Sequence, residues 1–226
     1  MSGDGSQRWA PAERERRTAG AMRISHVLYK VPDLDAAVEQ YRRDGFDVEY
    51  GKADNPYNAL AYFADGSYLE LLGRTGMPSL AKTALRLFGK KAFVARIDAW
   101  DGADEGLIGL ALESEPDRLA DAKQLLKDAG EGWFQFRSRR SDPGGRVLKF
   151  VGVMPNHLEV PFFGTCDTDL TRPGFVHPNG VVGFKRVSFG TTSELLPLVE
   201  RLCTDDRVHV FVGDGVRDLE FEYSDG

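Results

Sequence analysis

Apolar and polar positions alternate through residues 23–31, a stretch rich in Val, Ile and Tyr. That alternation predicts a strand with one buried face. Pro32-Asp33 halts it, and Asp33 is suited to cap a helix. Leu34, Ala37, Val38 and Tyr41 then recur at the spacing of one helical face, and Gly45 suits the left-handed residue that closes a helix. Three more strands are predicted over 46–52, 57–64 and 67–73, with Asp65-Gly66 as a hairpin turn. The unit reads βαβββ.

The same order returns downstream. A strand is predicted over 106–114, and Pro116-Asp117 repeats Pro32-Asp33. Leu119, Ala122, Leu126 and Ala129 form an apolar helical face, and Gly130 repeats Gly45. Strands follow at 132–137, 147–154 and 157–163, with Pro143-Gly144-Gly145 in a connecting turn. A shorter third copy has a strand over 182–190, a helix near 193–203 and strands over 207–213 and 216–223, with Asp214-Gly215 echoing Asp65-Gly66. The last strands align as Tyr68-Leu69-Glu70-Leu71, His157-Leu158-Glu159-Val160 and Asp218-Leu219-Glu220-Phe221. A period of roughly 85 residues is too long for a solenoid and fits duplication of a whole module.

The expected fold is therefore α+β: repeated βαβββ modules forming curved mixed sheets around a cup, with a third partial βαββ copy at the C-terminus. The organisation expected is a disordered tail over 1–21, module 1 over 22–77, a helical linker over 78–105, module 2 over 106–164, a loop over 165–181 and the partial module over 182–226. Together these make one compact unit. The tail has no apolar periodicity to offset ordering entropy. Met22, where the pattern begins, is a candidate translation start beside Met1. In the linker, Leu80, Ala84, Leu87 and Phe88 share a helical face; a packed surface helix is the plain reading, and a lid or dimer contact the alternative.

Composition narrows the function. Hydrophobic content of 42% and charge of 28% exclude wholesale disorder. The net charge of -6 and pI near 5.3 argue against non-specific nucleic-acid or anionic-lipid binding. No apolar run is long enough to span a bilayer. Cys166 and Cys203 cannot form a disulfide framework or a cysteine zinc cluster, so a reduced, cytoplasmic setting is expected. No phosphate loop and no nucleophile elbow is present.

Residues ISHVLYKVPDLDAAVEQYRRDGF, then Asn58, then ADGSYLELLG, with VPFF at 160–163 and HPNG at 177–180, resemble the vicinal oxygen chelate superfamily and, more narrowly, its glyoxalase-like domain family. The resemblance spans roughly 23–190. It implies a divalent metal inside a cup of paired modules, with ligands from the first and last strands of each. Such a metal polarises neighbouring oxygens of a substrate for isomerase, lyase, group-transfer or dioxygenase chemistry.

On the predicted strands, His26 shares a face with Ile24 and Leu28, and Glu70 with Tyr68 and Leu72. An inward carboxylate wants a cation or several donors, and an imidazole with a carboxylate suits Fe, Mn, Zn or Ni. His26 and Glu70 are the candidate catalytic pair. The candidate metal ligands are His26, Glu70, His157, Glu159 and His177, and the candidate substrate contacts are Asn58, Tyr68 and Arg186. In the second module either Leu110 or Ala111 falls opposite His26, depending on whether Asp117 or Gly130 sets the register, and neither binds metal. In the third, Arg186 and Glu220 take those places, and a guanidinium pairs with anions instead. His177 lies in a Pro/Gly/Asn-rich loop as ligand, base or turn residue.

The expected activity is thus that of a metal-dependent enzyme acting on a small oxygenated molecule. Three alternatives stay open: acid–base chemistry by Glu70 and His26 alone, a non-catalytic protein that sequesters a hydrophobic compound, and an interaction module whose cup is filled with side chains. The expected partner is a small-molecule substrate or ligand, with a homodimer plausible.

Overall fold

The computed structural model describes residues 22–141, 145 and 147–224. The tail expected over 1–21 and most of the Pro143-Gly144-Gly145 turn lie outside them. The first module runs β1 (Met22–Lys30), α1 (Leu34–Arg43), β2 (Glu49–Tyr50), β3 (Asn58–Tyr62) and β4 (Tyr68–Leu72). Asp33 caps α1 by accepting the Ala36 N–H, and Gly45 leaves the helix at a φ of 83°. Two linker helices follow, α2 (Ser79–Leu87) and α3 (Lys91–Gly102). The second module runs β5 (Gly106–Ser114), α4 (Leu119–Asp128), β6 (Trp133–Ser141), β7 (Val147–Pro155) and β8 (Phe162–Cys166). The C-terminal copy is β9 (Val181–Thr191), α5 (Leu196–Leu202), β10 (Val208–Val212) and β11 (Gly215–Tyr223).

The two modules share one curled eight-stranded sheet, ordered β2-β3-β4-β1-β5-β8-β7-β6. Its centre is the antiparallel β1–β5 pair, flanked by parallel β1–β4 and parallel β5–β8. The last copy forms a separate sheet, β10-β9-β11. The fold is the expected mixed α+β cup.

Alternation along the central strands divides the side chains between two faces. Val27, Leu69, Leu71, Leu110, Leu112 and Phe163 join the main core, with Val38 of α1, Leu126 of α4 and Phe184, Val187 and Val199 of the C-terminal copy. On the other face, Leu28, Leu72 and Met154 pack under Phe93, Ile97 and Trp100 of α3. The linker helix therefore fills one part of the hollow, and an open cleft occupies another.

Two strands and one linker helix differ from expectation. The stretch 46–52 contributes only the two-residue β2. The predicted strand over 157–163 starts late, at Phe162. Ahead of it the chain turns so that the carbonyls of Pro155, His157 and Val160 all accept from Nη2 of Arg96, while the His157 N–H donates to Glu131. Those carbonyls serve a buried guanidinium, and the ladder begins after them. The α2 helix also turns its polar face inward. Lys82 bonds Asp98 and Asp101 of α3 at 2.9 and 2.6 Å, leaving Leu80, Leu87 and Phe88 at least 80% exposed.

Candidate functional site

The site begins with a bulge. Ile24 pairs with Leu112, and His26 pairs with Ala111, so Ser25 is the extra residue on β1. This puts the Ser25 side chain beside the imidazole, with Oγ 3.0 Å from His26 Nδ1. On the other flank, the parallel β1–β4 register sets His26 against Tyr68, and Glu70 one pleat beyond on the same face. His26 Nε2 lies 3.4 Å from Glu70 Oε2, and both side chains are nearly buried. Asn58, on the neighbouring β3, donates to Glu70 Oε1 at 2.8 Å. The Tyr68 ring stacks on the imidazole at 4.5 Å, and Phe162 meets it edge-on at 5.4 Å. Contacts at both ring nitrogens and on the ring itself orient the imidazole.

These groups line a cleft of about 250 Å³. Its remaining walls are apolar or aromatic, including Phe136, Phe150, Met154 and Leu148. Glu113 lies two residues along β5 from Ala111, on the same face, and also lines the cleft. Burial raises its carboxyl pKa, opposed by Arg23, whose guanidinium sits 2.9 Å away. Ser25 and Glu113 belong to no motif in the sequence, and Phe162 stands out only within VPFF. For Glu113 the alternation of 106–114 carries the signal, whereas the bulge at Ser25 leaves none.

The structure brings together His26, Glu70, Asn58 and Tyr68, and places the other candidates elsewhere. His157 is exposed and bonds Glu131 through Nδ1. Glu159 lies in the turn before β8 and lines a different cavity, beside Arg96. His177 is buried among Phe46, Phe63 and Phe175, where Nδ1 accepts the Asp47 N–H at 2.9 Å. Burial lowers the His177 pKa, with Asp47 opposing. Arg186 is exposed on β9, paired in register with Glu220.

Register also corrects the match between Glu70 and Glu159. His26 stands opposite Tyr68, and Ala111 opposite Phe162, so the second-module equivalents of His26 and Glu70 are Ala111 and Gly164. Neither carries a ligating atom. A Cβ on Gly164 would come 2.3 Å from the Val151 carbonyl oxygen, so that corner is closed to any side chain. Among the described residues no group of three His, Cys, Asp or Glu side chains could hold a metal ion. Among the described residues the cleft brings one imidazole and one carboxylate, His26 and Glu70, close together, fewer than the three protein ligands of a resident catalytic ion. The donor set does not fit a complete metal centre.

The glyoxalase-like domain model matches residues 24–202. Among solved structures, a hypothetical protein from Staphylococcus aureus is 13% identical with a TM-score of 0.61, covering 87% of this chain and 88% of that one. The Mn(II)-bound glyoxalase from Novosphingobium aromaticivorans is 14% identical with a TM-score of 0.50, covering 88% of this chain. This chain spans 64% of that protein's length. No curated protein matches. These similarities show the fold.

Proposed function

Because the chain belongs to the glyoxalase-like domain family, we propose that its cleft binds a small, mostly apolar carbonyl compound and moves a proton at the carbon beside the carbonyl. The observation that carries this reading is the convergence of His26 Nε2 and Glu70 Oε2, 3.4 Å apart, at one wall of an aromatic cleft. In this reading the Ser25 hydroxyl, 3.0 Å from Nδ1, donates to it, which puts the imidazole proton on Nε2, facing the cleft. Nε2–H then hydrogen-bonds the substrate carbonyl oxygen, and the Glu70 carboxylate takes the α-proton. Charge passes to the oxygen, where the imidazole stabilises it, and Glu70 returns the proton to the same or a neighbouring carbon. Asn58 holds the other carboxylate oxygen in place, and Tyr68 stacks on the imidazole and orients it.

Metal dependence, as in the Mn(II)-bound fold neighbour, would need ligands beyond His26 and Glu70, so no step is routed through an ion. A second reading is sequestration without turnover, favoured by Ala111 and Gly164 at the cleft wall. A cytoplasmic setting is favoured by two cysteines present as free thiols; among the described residues no helix is long and apolar enough to cross a membrane. The exposed stripe of α2 is where a homodimer contact would be sought.

The test is proton exchange with a probe ketone. 2-Indanone in D₂O should exchange its α-protons faster with the protein than with buffer, and Glu70→Gln should abolish the gain. Binding without accelerated exchange favours sequestration. Acceleration that survives Glu70→Gln contradicts the assignment.

A further inference from the structure

Arg96, on α3, is buried at 3% exposure. All three of its hydrogen bonds come from Nη2 and go to neutral carbonyls, those of Pro155, His157 and Val160. Nε is buried without a partner. Among the described residues no carboxylate reaches ion-pair distance; Glu131 and Glu159 act only from further off. Burial lowers its pKa to about 10, so it stays cationic at neutral pH. A buried cation normally has a counter-ion in contact, because desolvation is otherwise uncompensated. Here the guanidinium instead lines a cavity of about 330 Å³ between α3, β5, the 158–161 turn and the β10–β11 connection. The rest of that cavity is largely apolar, with Trp100, Leu107, Ile108, Phe189 and Val216 in its walls, and Glu159 and Asp214 as its acids.

We propose that this second cavity binds a small carboxylate with an apolar body, its carboxylate against the Arg96 guanidinium and its hydrocarbon among Trp100, Leu107 and Phe189. The guanidinium stays charged and attracts an anion, and among the described residues no carboxylate is in contact with it. Glu159 opposes this binding, and so sets its strength.

The experiment titrates the ¹⁵N-labelled full chain with 4-methylpentanoate, its neutral amide and 3-methylbutylamine, with sodium chloride as the ionic control. The readout is the Trp100 indole N–H, assigned with Trp100→Phe. The carboxylate should shift it saturably, and the amide, amine and chloride should not. Glu159→Gln should tighten the carboxylate by at least about threefold, and Arg96→Lys should weaken it by at least about tenfold. If Arg96→Lys fails to fold, the Glu159→Gln comparison decides. A carboxylate that leaves Trp100 unmoved, an amide or amine that shifts it as strongly, or an affinity unchanged by Glu159→Gln overturns the proposal.

Discussion

His26 Nε2 and Glu70 Oε2 lie 3.4 Å apart across the parallel β1–β4 pair, although the two residues come from opposite ends of the first module. The separation is too long for a strong charge-assisted hydrogen bond, which would sit nearer 2.7–2.9 Å. The two groups form a loose pair at one wall of the cleft. That arrangement suits a reacting molecule placed between them. Removing either should therefore cost chemistry more than stability. Glu70→Gln preserves shape and the Asn58 contact, and should lower α-proton exchange by about 10²–10⁴-fold. His26→Ala should lose a similar factor. Exchange rates followed by proton NMR in D₂O check both.

Ser25 reaches the imidazole only because the bulge turns its side chain to the same face. Ser25→Ala should slow exchange by about tenfold, the scale of one hydrogen bond to a charge-bearing group, and should shift the His26 ring nitrogens toward a mixed tautomer. Ser25→Thr should restore both. Ring ¹⁵N chemical shifts distinguish this positioning role from a general loss of packing, which Thr would not rescue.

Metal content gives a sharper prediction. Ala111 pairs directly with His26, so a ligating side chain there would face the same space. Across such a pair Cβ atoms are about 4.5–5.5 Å apart. Wild-type protein dialysed against a chelator should keep its α-proton exchange. Ala111→His should gain about one equivalent of Zn²⁺ or Mn²⁺ by completing a three-donor set. Elemental analysis after gel filtration reads both results.

The buried His177 makes stability depend on pH. Its folded-state pKa is lowered, chiefly by burial, so the unfolded chain binds the proton more readily. The contribution is fully present above the ordinary histidine value of about 6.5 and is lost as pH falls below it. Urea unfolding at pH 7.5 and pH 5.5 should show lower stability at the acid end. His177→Gln should flatten that difference.

The repeat was legible because local rules set it: turn residues, helix faces and alternating strands each recur in the same order. The first module's site was legible for the same reason, since His26 and Glu70 fall on inward faces by alternation alone. What escaped was set by distant contacts. The His157–Pro161 stretch has strand-like residues, yet its carbonyls are claimed by Arg96 from α3. That displaces β8 and exchanges Glu159 for Gly164 opposite Glu70's position. His177 reads as a loop residue, and its burial depends on Phe46 and Phe63 from another module. The bulge at Ser25 shows only in the pairing of β1 with β5.

The most direct test is a crystal structure of the full chain soaked with 2-indanone. The account predicts the ketone oxygen within hydrogen-bond reach of His26 Nε2, the α-carbon beside Glu70, and the aromatic ring among Phe136, Phe150 and Phe162. A ligand bound elsewhere, or one whose oxygen points away from both His26 and Glu70, contradicts it.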